Sequence, residues 1–332
     1  MTPSVIQHTE TSMRRASMLK TAFGPVIGAA LEDQTVIEIM VNPDGSLWIE
    51  RHETGRVQAD VVLKDADRER IIRLVASHIG FDCDRENPIV SAELPGSGER
   101  FEGVLPPVAT APAFAIRKPA GRVIGLADYV KSNVMTGAQG LALKTAIARR
   151  ANILIAGGTS SGKTTLANAL LAEIAETEER IVILEDTREL QCAARDSISL
   201  RTSTSVGLEA LVRSTMRLRP DRIIVGEVRG GEALDLLKAW NTGHPGGVAT
   251  VHANSAAAAL TRIEQLIGER TTTVPYQLIA DAIDIVVFIA RDNHGRRVKE
   301  IIRVDGLDDH DGYCTAPADP PDLSLINEGA IQ

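Results

Sequence analysis

Nine consecutive residues, Gly157-Gly158-Thr159-Ser160-Ser161-Gly162-Lys163-Thr164-Thr165, hold the densest chemistry in the chain. Side chains would crowd a phosphate, so glycines here let backbone N–H groups close around its oxygens. In the Gly-x-x-x-x-Gly-Lys-Thr pattern, Lys163 reaches the β- and γ-phosphates and the Thr164 hydroxyl ligates Mg²⁺. A Gly/Ser-rich turn ahead of an ordinary helix is the bland alternative. Context decides between them. Ile153–Ala156 is an apolar run of strand type, and Leu166–Ile174 continues with helical spacing. A helix starting near Lys163 also turns its unpaired N–H groups and positive dipole end toward the loop. All nine residues are therefore candidates for binding ATP, with Mg²⁺ as its companion ion.

Two further apolar runs deliver carboxylates. Ile181–Leu184 leads into Glu185-Asp186-Thr187-Arg188, and Arg222–Val225 leads into Gly226-Glu227-Val228-Arg229. In a doubly wound sheet the C-terminal ends of the strands are where ligands sit. Many phosphate-loop ATPases carry an Asp immediately before the Glu to anchor Mg²⁺; here that position is Gly226. The expectation is that Mg²⁺ depends on Thr164, the phosphates and water held by Glu185 or Glu227. Glu227 is the candidate for positioning an attacking water, and a purely structural pairing with Arg229 is the competing reading. His252 closes a third such run, Val248–Val251, where its ring could touch a γ-phosphate or serve only as a structural strand-end residue. No third ligand stands at zinc-like spacing.

Bulk properties narrow the classes. At 332 residues the chain is long for one core, so two domains are expected. A net charge of −8 and few aromatic residues argue against a broad nucleic-acid surface, and no sequence-specific nucleic-acid binding is expected. Cys83, Cys192 and Cys314 lie far apart and form neither a disulfide framework nor a metal spacing, which suits a reducing cytoplasm. Arg14-Arg15 followed by Thr21–Leu31 imitates a signal peptide, but Lys20 and Glu32-Asp33 interrupt it and an amphipathic helix over about 13–31 is expected instead.

The elements that must position these groups follow from periodicity and turn chemistry. Strand-like runs at 36–41, 46–50 and 57–63, a helix at 65–78, and short strands within 98–107 and 112–118 predict an N-terminal α+β domain over 1–120. The last two runs carry Arg100 and Arg117, whose default is surface solvation. Residues 121–135 read as a linker. Helices and strands then alternate over 136–306, predicting a RecA-like phosphate-loop domain with a mainly parallel sheet and 297–304 as a closing edge strand. Residues 1–12 read as loose and 307–332 as a disordered tail. The fold class is α/β.

Four segments, 157–165, 184–190, 219–229 and 242–255, together resemble the Walker A, Asp box, Walker B and His box of the type II/IV secretion traffic ATPases. Within that superfamily the chain is most similar to the conjugal-transfer branch. The likeness extends to Glu38–Gly45, Gly98–Pro107 and Ile116–Pro119. Gly226 matches this superfamily's own pattern. The resemblance implies an ATP-hydrolysing motor for conjugation or type IV secretion, hexameric, cytoplasmic and peripheral to the inner membrane, working with inner-membrane components. It implies that Arg100 and Arg117 reach the phosphates as an arginine finger does, and it adds Lys163, Glu185, Glu227 and His252 to the catalytic set. A pilus assembly or retraction motor of the same superfamily, and a RecA-like nucleic-acid-stimulated ATPase, are the alternatives.

Overall fold

The computed structural model describes residues 3–318 apart from Glu53, Gly96, residues 120–122, Thr204 and His294, with side chains from Ser17 onward. The chain divides after Gly121 into two compact units.

The first unit runs α1 (Pro3–Glu32), β1 (Val36–Val41), β2 (Ser46–Arg51), β3 (Gly55–Val62), α2 (Asp65–His78), β4 (Ile89–Glu93), β5 (Arg100–Val104) and β6 (Ala113–Arg117). Its strands form an antiparallel sheet in the order β3-β2-β1-β6-β5-β4. α1 begins earlier than periodicity suggests and is interrupted at Gly24, whose φ of 68° precedes Pro25. β4 was not anticipated: it takes its place by pairing with β5, not by a pattern of its own. Phe101, Phe114, Ile116, Ile39 and Val41 pack with Ile71, Ile72 and Val75 of α2 into one core. Alternation sends Arg100, Arg117, Glu38 and Glu50 to the other face. Inside the unit, Arg68 is almost fully buried and donates to the carbonyls of Pro43, Leu63 and Pro112 at 2.5–2.7 Å. One guanidinium thus joins three loops, which is what makes its burial tolerable.

The second unit holds α3 (Leu126–Lys131), α4 (Gly137–Ala148), β7 (Ile153–Ala156), α5 (Lys163–Ile174), β8 (Ile181–Glu185), β9 (Ser197–Arg201), α6 (Leu208–Thr215), β10 (Arg222–Val225), α7 (Glu232–Asn241), β11 (Val248–Val251), α8 (Ala256–Gly268), α9 (Tyr276–Ala282), β12 (Ile285–Asp292), β13 (Gly295–Leu307) and β14 (Tyr313–Pro317). The sheet order is β14-β13-β12-β7-β11-β10-β8-β9, parallel from β12 through β9 and antiparallel at β13 and β14. Ile153 and Ile155 of β7 face one core, with Leu143 of α4 and Leu170 of α5. Leu154 and Ala156 face the other, with Leu237 of α7 and Leu260 of α8. A strand covered on both sides reads as a mainly apolar run, and β7, β8, β10 and β11 are buried along their whole length, with Glu185, Arg222 and Thr250 the polar residues among them.

Two expectations are corrected. The stretch read as a linker contains α3, seated by Leu126 and Tyr129 in the second unit's core. The stretch read as a tail contains β14, which pairs with β13, so β13 is not the sheet edge. Tyr313 packs against the core while Cys314 and Thr315 are exposed, a pattern too sparse to announce a strand before β13 supplies its register. The expected disorder beyond residue 318 lies outside the described residues.

At the end of the sheet away from the loop, Asn152 accepts from the backbone N–H groups of Gly246 and Gly247 and donates to Ala282 O. Its own backbone N–H donates to Asp284 Oδ2 at 2.7 Å. Burial pushes the Asp284 carboxyl up to about 6, against the pull of that N–H. A raised carboxyl favours the folded state most below the unfolded pKa near 4 and loses that contribution as pH rises through 6, in total about 3 kcal/mol. Asp284→Asn, which keeps an acceptor, should therefore flatten the pH dependence of urea stability between pH 4 and 7. Equal slopes for both proteins would reject the assignment.

Candidate active site

The phosphate loop, the acidic residues after β8 and β10, and His252 after β11 come from neighbouring strands, so all meet at one edge of the parallel sheet. β7 ends at Ala156 and α5 begins at Lys163, leaving residues 157–162 to turn in a loop that must approach its neighbours closely. A Cβ at Gly157 would stand 2.4 Å from Ile289 O and 2.5 Å from Ser161 Oγ, so no other residue fits there.

Lys163 is 8% exposed and donates to Gly157 O at 3.0 Å and Gly158 O at 3.1 Å. Burial lowers its pKa while the charge of Glu227 pulls it back up. His252 lies beside it, with ring nitrogens 3.4 and 3.5 Å from Nζ. Burial and then the Lys163 charge hold the imidazole below its usual range, against the pull of the Glu227 charge. His252 Nε2 stands 2.8 Å from Glu227 Oε1. That approach falls outside hydrogen-bond geometry, and the buried Oε1 has no hydrogen-bond donor among the described residues. Glu227 Oε2 accepts from Arg229 at 2.5 Å, and Arg229 stands 3.6 Å from Asp186. The pairing with Arg229 is therefore real, yet it occupies one oxygen and leaves the other turned toward His252. Lys163, His252 and Glu227 form one cluster.

Glu185 is 3% exposed, and its Oε1 accepts from the backbone N–H groups of Glu189 and Leu190 at 2.8 and 2.7 Å. Its side chain lies against Gly226: a Cβ there would be 3.1 Å from Glu185 Cγ. The space an Asp at position 226 would need is thus already filled by a carboxylate from β8. Thr164 Oγ1 donates to Glu189 Oε2 at 3.2 Å, and Asn168 of α5 holds the same turn through Glu189 O at 3.1 Å and Gln191 N at 2.8 Å. Neither Glu189 nor Asn168 was singled out from the sequence. Glu189 could have been, since it falls four residues after Glu185 in the same acidic run; Asn168 is a buried amide within the apolar stretch Leu166–Ala172 of α5.

Arg100 and Arg117 belong to the first unit, where they stand directly opposite each other in the β5–β6 register. Glu93 flanks Arg100 on β4 and Glu38 flanks Arg117 on β1. Like charges facing each other are unfavourable unless opposite charges or a bound anion intervene.

The type II/IV secretion system protein family model matches residues 21–304. This chain belongs to that family. It is 54% identical to the conjugal transfer protein TrbB of Rhizobium radiobacter, over 88% of this chain and 91% of that one. It is 35% identical to the type IV secretion system protein PtlH of Bordetella pertussis, over 83% and 93%. In fold it is similar to the pilus retraction motor PilT with bound ADP, with a TM-score of 0.62 and 18% identity, over 93% of this chain and 85% of that one. In this chain the Glu185–Gly226 contact leaves little room for a side chain at position 226. Gly226→Ala should destabilise the protein by about 1–3 kcal/mol, because Glu185 must yield and strain its two backbone hydrogen bonds. Equal denaturation midpoints would show that Glu185 moves freely.

Proposed function

We propose that this chain is an ATP-hydrolysing motor of type IV secretion, serving conjugal transfer. The observation that carries the reading is Glu227, anchored through one oxygen by Arg229 and leaving the other, buried and without a hydrogen-bond donor, beside His252 and Lys163. Such an oxygen is suited to accept from an attacking water. Residues 157–165 bind the phosphates, with Lys163 exchanging its two carbonyl partners for phosphate oxygens. His252, adjacent to Lys163, meets the γ-phosphate. Identity to a conjugal transfer protein over nearly the whole chain favours conjugation over the pilus-motor reading, whose support is likeness of fold alone.

Mg²⁺ fits the residues present. The donors around Thr164 are hard oxygens, its own hydroxyl and the Glu189 carboxylate, and no group of three or more His, Cys, Asp or Glu forms a dedicated metal cage among the described residues. The ion would neutralise charge on the transferred phosphoryl group. Thr164 would ligate it, with Glu185, Glu189 and Glu227 holding its waters.

The working particle is a homohexamer, with the paired cations Arg100 and Arg117 acting on nucleotide phosphates as arginine fingers do. The motor works from the cytoplasmic side with inner-membrane secretion components. No helix among the described residues is long and apolar enough to cross a membrane, which fits peripheral attachment. Nucleotide-driven rocking of subunits would then transmit force.

Lys163→Ala should abolish hydrolysis and weaken nucleotide binding. Glu227→Gln should bind ATP yet turn it over at least about 100-fold more slowly. Arg117→Ala should slow turnover while leaving the unfolding temperature unchanged. Wild-type turnover in any of them sinks that residue's role. Solution mass measured with a non-hydrolysable ATP analogue and Mg²⁺ should correspond to six subunits; a monomer that still binds the analogue would reject a self-assembling ring.

A further inference from the structure

Strands β12 and β13 each bring a residue against the phosphate loop, Ile289 and Arg296. Ile289 O fills the space beside Gly157, and Arg296 Cδ stands 3.1 Å from where a Cβ of residue 162 would be. Arg296 Nε donates to Ser160 O at 3.3 Å. Ser160 is a non-glycine residue at φ 58°, a conformation that persists only where its surroundings hold it. Arg296 also faces Arg291 directly across the hairpin, an arrangement that does nothing for the hairpin itself.

The loop is therefore gripped by two cations. Lys163 holds the carbonyls of Gly157 and Gly158, and Arg296 holds the carbonyl of Ser160. These grips differ in one respect. Lys163 must release its carbonyls to reach phosphates, whereas Arg296 bonds a carbonyl and need not let go. From this we infer that Arg296 is a positioning residue for nucleotide binding: it keeps Ser160 in its left-handed conformation, and so the loop's N–H groups convergent, once Lys163 has turned to the phosphates. The inference rests on the phosphate-loop reading, and the sequence patterns that revealed that loop give no sign of it, because Arg296 lies 136 residues downstream.

The test is calorimetric titration of the full chain with ADP and with a non-hydrolysable ATP analogue, each with Mg²⁺, joined to steady-state kinetics. Arg296→Ala should weaken both ligands by the same factor, about 5–10-fold for one lost charge-assisted hydrogen bond. KM for ATP should rise likewise, with kcat changing less. Arg296→Lys should restore most of the affinity, since an ammonium can still donate to Ser160 O. Arg297→Ala, at the adjacent residue, exposed like Arg296, should bind as the wild type does, and unfolding temperatures without nucleotide should agree across the set. Unchanged affinity in Arg296→Ala, or a fall in kcat with affinity intact, would overturn the proposal. Unchanged affinity in Lys163→Ala would instead overturn the phosphate-loop reading on which it stands.

Discussion

A cation taken out of water must be given oxygens in return, and the ammonium of Lys163 sets that condition for everything around it. Two loop carbonyls meet it directly, and the field of Glu227 supports its charge. The loop carbonyls can converge only because Gly157 leaves room for Ile289 and Ser161. His252 lies beside the same ammonium, whose charge helps hold the imidazole below its usual range. Charge, backbone geometry and packing are thus one constraint seen three ways.

The acidic residues around this centre divide into those committed to the backbone and those that are not. Glu185 spends one oxygen on two N–H groups of the turn after β8, which fixes where Glu189 emerges and brings its carboxylate to Thr164. Gly226 makes this possible by bringing no side chain of its own. Glu227 keeps one oxygen off the backbone, buried beside His252 Nε2 at 2.8 Å and outside hydrogen-bond geometry. Native structures leave few such groups, and those that persist commonly mark chemistry.

Within the first unit the row Glu93, Arg100, Arg117, Glu38, Glu50 crosses five strands in direct register. The flanking carboxylates offset part of the repulsion between the two arginines. Arg68 performs the opposite task in the same unit, a buried cation occupied by three carbonyls and the Asp65 carboxylate.

What the sequence determined by itself is what a short stretch of chain can encode. The strand, loop and helix over 153–174 were legible because apolar run, glycine spacing and helical period are all local, and the same holds for the carboxylates that follow β8 and β10. The α/β class followed from the alternation of such stretches. What only the tertiary structure decided depends on residues distant in the chain. β14 exists through the register of β13, and Arg100 opposes Arg117 through the pairing of β5 with β6. Likewise Glu189 meets Thr164, Glu185 fills the space beside Gly226, and Arg296 reaches Ser160. A contact across a sheet edge is set by strand order and register, and these minimise the free energy of the whole core, leaving no periodic signature at either residue.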